Sequence, residues 1–265
     1  MKKRRIIIVS LALACLMFLF SGCAGEPESL PEPELTEIRV GCDDYTPFSY
    51  LDANGQMTGI DVELAEEAFR RIGYKPVFTI INWEDKNSLL ESGEIECIWS
   101  SFTINGREDE YRWAGPYMNS LQVVAVSENS DIYSLSDLED KLIAVQSTTK
   151  PEEILRQHRE DLPEFRRVIS VKKRDLIFTM LAKGYVDAAA AHITAVEQFM
   201  EECEVSFRIL DEPLLEVGLG AAFSLDDDRG IAEELDKTLK EMRKDGTAAQ
   251  IIGKYLPDPE RYLED

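Results

Sequence analysis

The sequence is poor in histidine and in basic residues. It has two histidines, His158 and His192, and 29 lysines and arginines against 51 aspartates and glutamates, for a formal charge of -22. This charge repels the phosphate backbone of nucleic acids, so the composition argues against nucleic-acid binding. The sequence also has no GxSxG, HExxH or glycine-rich phosphate loop, and it therefore lacks the motifs of several common enzyme classes.

Cysteine is scarce in the part of the chain that we expect to fold. Of five cysteines, Cys15 and Cys23 lie near the N-terminus, which leaves Cys42, Cys97 and Cys203. Their odd number and irregular spacing argue against a disulfide framework, and no CxxC pair suits a metal or redox site. We expect all three to be buried as small hydrophobic side chains, and we expect no metal and no cofactor.

Residues 1–22 have the features of an export signal. Lys2 to Arg5 are basic, Ile6 to Phe20 are apolar, and Ser21 and Gly22 precede Cys23. The apolar run is shorter than the roughly 20 residues of a membrane span but suits a signal peptide. Small residues before a cysteine resemble the lipobox of bacterial lipoproteins, which implies a lipid-anchored Cys23. An ordinary signal peptide with a chance cysteine is the alternative.

Residues 23–37 have the composition of a tether. From Ala24 to Glu37 the chain carries three prolines and five glutamates and has almost no apolar residues. Such a segment cannot bury itself, and its charges repel one another. We therefore expect an extended linker that holds a folded domain close to a membrane.

From residue 38 the chain alternates strand and helix patterns, and the order is repeated. The first copy predicts strands at 38–40, 77–81 and 95–99, and helices from Asp61, as the cap, to Ile72 and at 83–92. The second copy predicts strands at 142–145, 167–169 and 186–191, and helices at 151–158 and 174–183. Alternating strands and helices predict mostly parallel sheets flanked by helices, and two copies predict two lobes.

The two copies agree in spacing around their third strands. Eight residues beyond Gly93 lies Ser101, and eight residues beyond Gly184 lies His192. Ligands of open α/β sheets bind beyond the carboxyl ends of the strands. If the two sheets face each other across a cleft, Ser101 and His192 line it from opposite sides.

The last 48 residues, 218–265, contain an amphipathic helix with apolar residues from Ile231 to Met242 on one face. We expect it to pack on the first lobe. The predicted organisation is thus a first lobe at 38–120, a second lobe at 121–217 and a C-terminal part of the first lobe at 218–265.

Several segments resemble the family 3 extracellular solute-binding proteins, the polar amino-acid receptors of ABC importers. Each segment is a weak signal alone, but their order and spacing behind a lipobox are a strong one. The segments are 38–48, 59–64, 104–107, 115–117, 146–149, 184–187 and 239–255. The resemblance implies the type II periplasmic-binding-protein fold, with two lobes that close on a ligand by hinge motion. It also implies crossing strands near 119–123 and 217–219, and an ABC permease as partner.

The resemblance further implies a site for a small carboxylate. Arg107 corresponds to the carboxylate clamp, because its planar guanidinium can donate two parallel hydrogen bonds; a surface ion pair with Glu108 or Asp109 is the alternative. Tyr45 corresponds to a ring that stacks on the ligand, and Trp83 could reach the cleft, whereas Trp99 is expected in the core. The remaining contacts implied are Ser101, Thr103, Thr148 and Thr149, of which Thr149 has capping-box spacing to Glu152.

His192 departs from the family pattern, in which an aspartate at this position binds the ligand ammonium. A neutral imidazole accepts a hydrogen bond from an ammonium but supplies no countercharge. With an ordinary pKa near 6.5, the ring would protonate between pH 7.5 and 5.5, and we expect the affinity for an α-amino acid to fall over that range. In the alternative, His192 lies only at the lip of the cleft.

Three functions remain open from the sequence. The first is a lipid-anchored, extracytoplasmic receptor that delivers an amino acid or related small carboxylate to an ABC permease. The second is a cleft enzyme of the same fold, similar to cyclohexadienyl dehydratase, with a histidine as acid or base. The third is a ligand-sensing module for a membrane receptor.

Overall fold

The computed structural model describes residues 35–157 and 159–264. The predicted signal peptide, Cys23, nearly all of the predicted tether and the predicted helix end at His158 lie outside these residues. Within the described ranges, no helix is both long enough and apolar enough to cross a membrane.

Among the described residues, nine strands form one mixed sheet. The strands are β1 Thr36–Cys42, β4 Tyr74–Ile80, β5 Cys97–Thr103, β6 Arg112–Ser127, β7 Leu142–Gln146, β8 Arg167–Val171, β9 Ala188–His192, β10 Phe207–Ile209 and β11 Leu215–Phe223; a small hairpin is made of β2 Tyr50–Leu51 and β3 Met57–Thr58. Their order across the sheet is β4, β1, β5, β11, β6, β9, β7, β8, and β10 pairs with β6.

Helices cover this sheet. They are α1 Ile60–Arg71, α2 Lys86–Glu91, α3 Lys150–Arg156, α4 Arg174–Ala182, α5 Ile193–Cys203, α6 Ile231–Lys244 and α7 Thr247–Ile252, with short 3-10 turns at Trp83–Asp85, Leu135–Leu138 and Pro259–Tyr262. Every strand and helix predicted from the two repeats is present within a few residues. The sequence analysis did not predict β10 or α5.

The sheet has two parallel halves joined by an antiparallel centre. Strand β1 is parallel to β4 and β5, and β7 is parallel to β8 and β9. Between the halves, β6 and β11 run antiparallel to each other, with Val217 opposite Ser120. We call β1, β4, β5 and their helices the first lobe, and β7, β8, β9 and their helices the second lobe. The predicted two-lobed α/β fold is confirmed, and the predicted crossings near 119–123 and 217–219 fall in β6 and β11.

The C-terminal helices pack on the first lobe, as expected. Helix α6 buries Ile231, Leu235, Leu239 and Met242 and packs on α1 and β6. The first lobe is therefore built from segments that are far apart in the sequence. The lobe limits at residues 120 and 217 stay predictions.

Two local expectations are wrong. Cys42 and Cys97 are buried, but Cys203, the last residue of α5, is exposed. Asp61 does not cap α1; the cap is Gly59, whose φ of +122° suits glycine and where a Cβ would lie 2.3 Å from the Phe48 carbonyl oxygen. Asp61 is consequently turned into the interior of the first lobe.

Candidate functional site

A cavity lies between the two lobes, at the carboxyl ends of β5 and β9. It is lined by residues from both lobes and from β6, among them six of the eight predicted ligand contacts. The lining residues are Trp83, Ser100, Ser101, Phe102, Thr103, Arg107, Gln122, Gln146, Thr149, Lys150, Pro151, Arg174, Ile177, Ala190, Ala191 and His192. This is the position at which open α/β sheets bind ligands.

Ser101 is held in an unusual conformation near the end of β5. Its φ is +49°, in the left-handed region that non-glycine residues rarely adopt. The buried carboxylate of Asp61 accepts a 2.6 Å hydrogen bond from the Ser101 N–H and a 2.7 Å bond from the Tyr117 hydroxyl. Within the described structure, the buried Ser101 Oγ has no hydrogen-bond partner. The hydroxyl thus has an unused acceptor at the cavity.

Burial raises the pKa of Asp61 to about 7, although its bonds to Tyr117 and to the Ser101 N–H act in the opposite direction. Desolvation prevails because the carboxyl group is enclosed by the core of the first lobe. Asp61 does not line the cavity. It acts on the site by fixing the backbone of Ser101.

Arg107 follows β5 and is nearly buried, with 10% of its side chain exposed. Its guanidinium lies 5.3 Å from the centre of the Phe102 ring, and its Nη2 lies 3.2 Å from a carboxylate oxygen of Glu153 in the second lobe. The structure pairs Arg107 with Glu153, and not with Glu108 or Asp109 as in the alternative of a surface ion pair. Arg107 is therefore a cation at the cavity wall with a partner across the cleft.

The two threonines before α3 differ in position. Thr149 lines the cavity as the N-cap of α3, but its hydroxyl donates to the Gln146 carbonyl at 2.6 Å instead of capping the helix. The predicted capping box is therefore wrong, because Glu152 accepts a bond from the Thr148 N–H. Thr148 lies outside the cavity lining, and its Oγ1 accepts a 3.0 Å bond from Lys86.

Lys86 is a buried cation beside the cavity. Its ammonium is 4.9 Å from the centre of the Trp83 ring. Burial, followed by the charge of Arg107, lowers the pKa of Lys86 to about 8. Lys86 and Arg107 both lie close to the Phe102 ring, so this end of the cleft contains two cations.

His192 ends β9 and lies in the cavity wall, not at its lip. Its Nε2 is 2.9 Å from the Gln122 amide nitrogen and its Nδ1 is 3.0 Å from the Ser120 hydroxyl. Burial, and then the charge of Arg174, lower its pKa to about 3. The expected loss of affinity between pH 7.5 and 5.5 is therefore wrong in its premise, because the ring stays neutral throughout that range.

Tyr45 is placed differently from the expectation of a ring stacked on the ligand. It does not line the cavity, and the guanidinium of Arg174 lies 3.5 Å from its ring centre. Its hydroxyl is 3.0 Å from the Thr194 hydroxyl of the second lobe. Trp99 is fully buried in the core, as predicted.

Several hydrogen bonds and ion pairs join the two lobes around the cavity. Asp43 of the first lobe accepts a 2.8 Å bond from Gln146 and forms a 3.0 Å ion pair with Arg174. Together with the Tyr45 contact to Thr194 and the Arg107 pair with Glu153, these bonds cross the cleft. The structure therefore represents the closed form.

Sequence reasoning missed Gln122, Gln146, Lys150 and Arg174 among the lining residues. For Arg174 a signal existed. Trp83 precedes Gly93 by ten residues, and Arg174 precedes Gly184 by ten residues. The same counting that paired Ser101 with His192 would have paired Trp83 with Arg174.

No group of three or more histidine, cysteine or acidic side chains is arranged to hold a metal ion within the described part of the chain.

Comparisons with known proteins agree on one family. The profile of bacterial extracellular solute-binding proteins, family 3, matches residues 38–258. The histidine-binding periplasmic protein of Salmonella typhimurium is 28% identical over 251 residues, covering 91% of this chain and 94% of the relative.

Two solved structures have the same fold. An ancestral arginine-binding protein bound to arginine is 26% identical, with a TM-score of 0.74 over 83% of this chain and 98% of its own. An ancestral amino acid-binding protein, described as a precursor of cyclohexadienyl dehydratase, is 28% identical, with a TM-score of 0.72 over 83% of this chain and 94% of its own.

Proposed function

The chain belongs to the bacterial extracellular solute-binding proteins of family 3, and from this membership we infer that it captures an amino acid or related small carboxylate outside the cytoplasm for an ABC importer. The observation that carries the inference is the cavity between two lobes that are in direct contact across the cleft. Closing such a cleft removes water, so that charged groups of a bound solute interact at lower effective dielectric.

Arg107 is the proposed carboxylate clamp. Its near burial, its planar donors and its position in the cavity lining support this role. Trp83, Ser101, Thr103, Thr149 and His192 are proposed as the other contacts. Tyr45 and Thr148 act indirectly in this proposal, since they contact Arg174 and Lys86 in the closed form.

The function is tested with the purified full-length protein. Calorimetry against the common amino acids and small carboxylates should find a compound that binds with one-to-one stoichiometry. Mass spectrometry of the same mixture should recover that compound unchanged. If no compound of these classes binds, the proposed function is wrong.

The enzyme alternative is not favoured. His192 is the histidine of the cavity lining, and burial lowers its pKa to about 3. General acid or base catalysis is most efficient when the pKa of the catalytic group lies near the working pH. A neutral imidazole engaged by Gln122 and Ser120 is a poor proton acceptor at pH 7. Conversion of the bound compound into a product in the mass spectrum would contradict this assignment.

We propose that Cys23 is lipidated and that residues 23–37 tether the binding domain to the membrane. The basic start, the apolar run and the small residues before the cysteine support this. A tethered receptor stays within reach of the permease that it serves.

Replacing Cys23 by serine should move the protein from the membrane fraction to the soluble extracytoplasmic fraction, or leave it unprocessed. The reason is that the thioether bond to the lipid needs a thiol. Cell fractionation with mass measurement of the product checks this. Cys203→Ser, at an exposed cysteine of the folded part, is the control and should change neither. An unaltered mass and distribution of the Cys23 variant would contradict lipidation.

A further inference from the structure

Three cations line the cavity, and their carboxylate partners lie behind the lining. Arg107, Lys150 and Arg174 are lining residues, and no aspartate or glutamate is among the lining residues of the described structure. Behind the lining, Glu153 pairs with both Arg107 and Lys150, and Asp43 pairs with Arg174. Two carboxylates thus contact three cations. The cavity wall and its ion-pair partners therefore have a net positive charge, and a bound ligand lies next to it.

Arg174 has a donor that nothing in the described structure uses. Only 11% of its side chain is exposed, its Nη2 pairs with Asp43 at 3.0 Å and its plane covers the Tyr45 ring. The other terminal nitrogen, Nη1, is buried without a hydrogen-bond partner. A buried donor of a charged group is costly to leave unpaired, and an anionic oxygen is its strongest partner.

Arg107 and Arg174 come from different lobes and line the same cavity. Arg107 follows β5 of the first lobe, whereas Arg174 begins α4 of the second lobe. A solute with one acidic group at each end could engage both cations, and only in the closed form. Two anionic groups would therefore stabilise closure as well as binding.

An ammonium group would meet no carboxylate among the cavity-lining residues that the structure describes. His192 lies in the cavity wall, and its lowered pKa of about 3 leaves the ring neutral. The charge of Arg174 reaches this ring, since it contributes to the lowered pKa of His192, and it would act in the same direction on a ligand ammonium. A desolvated ammonium without an opposite charge is strongly unfavourable.

Neutral acceptors remain at the cavity. Ser101 Oγ and Gln122 Oε1 are buried and have no partner in the described structure. A hydroxyl group of a solute satisfies such acceptors without bringing a charge into the cleft. These two acceptors can therefore be satisfied by a ligand that has no ammonium group.

We propose that the cleft binds a small solute that carries two anionic groups and no ammonium group, with Arg107 and Arg174 each holding one of the anionic groups. The proposal rests on the proposed function and specifies its ligand class. It departs from the amino acids that name the relatives, and the departure follows from His192 and Arg174.

The test uses pairs of compounds that differ only in an ammonium group. The pairs are succinate and L-aspartate, glutarate and L-glutamate, and adipate and L-2-aminoadipate, with L-glutamine and L-arginine as non-acidic and basic comparisons. Calorimetry is carried out on the purified full-length protein. In the pair of best-fitting length, the dicarboxylate should bind at least tenfold more tightly than its amino acid.

Each other outcome rejects the proposal in a distinguishable way. Tighter binding of the amino acid in every pair, or preferred binding of L-glutamine or L-arginine, overturns the ligand class and leaves the proposed function intact. No binding of any of these compounds or of the other amino acids overturns both the ligand class and the proposed function.

Arg174→Gln should lower the affinity for the best dicarboxylate at least tenfold, because the neutral amide cannot balance the second anionic group. The matched amino acid has the same two carboxylates and loses the same contact, but its ammonium no longer meets the charge of Arg174, so its affinity should fall less. Arg166→Gln is the control, because Arg166 lies on the second lobe with 58% of its side chain exposed. If L-glutamine, which has a single carboxylate, weakens as much as the dicarboxylate, Arg174 acts only by holding the lobes together, and the second anion site is rejected.

His192→Asp should reverse the preference, raising the affinity for the amino acid relative to its dicarboxylate at least tenfold. The new carboxylate supplies a countercharge for the ammonium of the amino acid, whereas its repulsion of the carboxylates acts on both members of the pair. His192→Asn, of similar size and without charge, should not reverse it. An unchanged preference in the aspartate variant would show that no ligand group approaches this position and would reject the proposal. Circular dichroism confirms that both variants are folded.

Discussion

Replacing Arg107 by alanine is expected to weaken ligand binding at least roughly thirtyfold. Removing one partner of a desolvated, hydrogen-bonded charge pair costs about 2 kcal/mol or more, and 1.4 kcal/mol corresponds to a factor of ten. Arg107 is nearly buried at the cavity wall, so the carboxylate that it holds would be left without its main partner in a closed, dry cleft. Calorimetry with the best-binding compound measures the effect.

Two further variants make the result interpretable. Arg107→Lys should recover only part of the affinity, because an ammonium cannot form two parallel bonds to one carboxylate. Arg70→Ala should leave affinity unchanged, since Arg70 lies on α1 with 62% of its side chain exposed and pairs with Glu67. If the Arg107 alanine variant binds as well as the parent, the clamp lies elsewhere in the cleft.

Replacing Asp61 by alanine is expected to destabilise the protein by roughly 2 to 6 kcal/mol. The carboxylate is fully buried and is the partner of the Ser101 N–H and the Tyr117 hydroxyl. Each buried donor that loses its partner costs about 1 to 3 kcal/mol. For a domain of this size the melting temperature should fall by between about 5 and 20 °C, measured by circular dichroism.

Asp61→Asn is the matched control, because the amide imitates the protonated carboxyl group. Its oxygen can still accept from the Ser101 N–H, and its nitrogen can donate to the Tyr117 hydroxyl. We expect most of the stability to be retained in this variant. Equal destabilisation by alanine and asparagine would mean that the negative charge, and not the hydrogen bonds, stabilises the first lobe.

The two variants also differ from the parent in pH dependence. Because the pKa of Asp61 is raised to about 7 in the fold, the folded protein keeps a proton that the unfolded chain releases at lower pH. The contribution to stability is thus fully present in acid and is lost as the pH rises from about 4 to 7. Melting curves should therefore show the parent losing stability relative to Asp61→Asn as the pH rises from about 4 to 7. A constant difference would contradict a raised pKa.

The sequence by itself determined the two repeated units and their approximate limits. The expected strand at 186–191 is β9, Ala188–His192, and the expected helix at 174–183 is α4, Arg174–Ala182. These elements could be predicted because apolar periodicity and terminating glycines act over a few neighbouring residues. The repeat spacing also placed Ser101 and His192 at corresponding strand ends, and both line the cavity.

Only the tertiary structure decided the electrostatic character of the cleft. The repeat spacing aligns Arg174 with Trp83, but Arg174 lines the cavity because α4 packs on β7 and β9 and directs its first residue toward the first lobe. The sequence alone predicts an ordinary pKa for His192. In the fold this pKa falls to about 3, because β6, β9 and Arg174 enclose the ring. Closure of the lobes likewise places the Arg174 guanidinium over the Tyr45 ring. Burial and the charges brought near by closure depend on segments far apart in the chain, and no local pattern contains them.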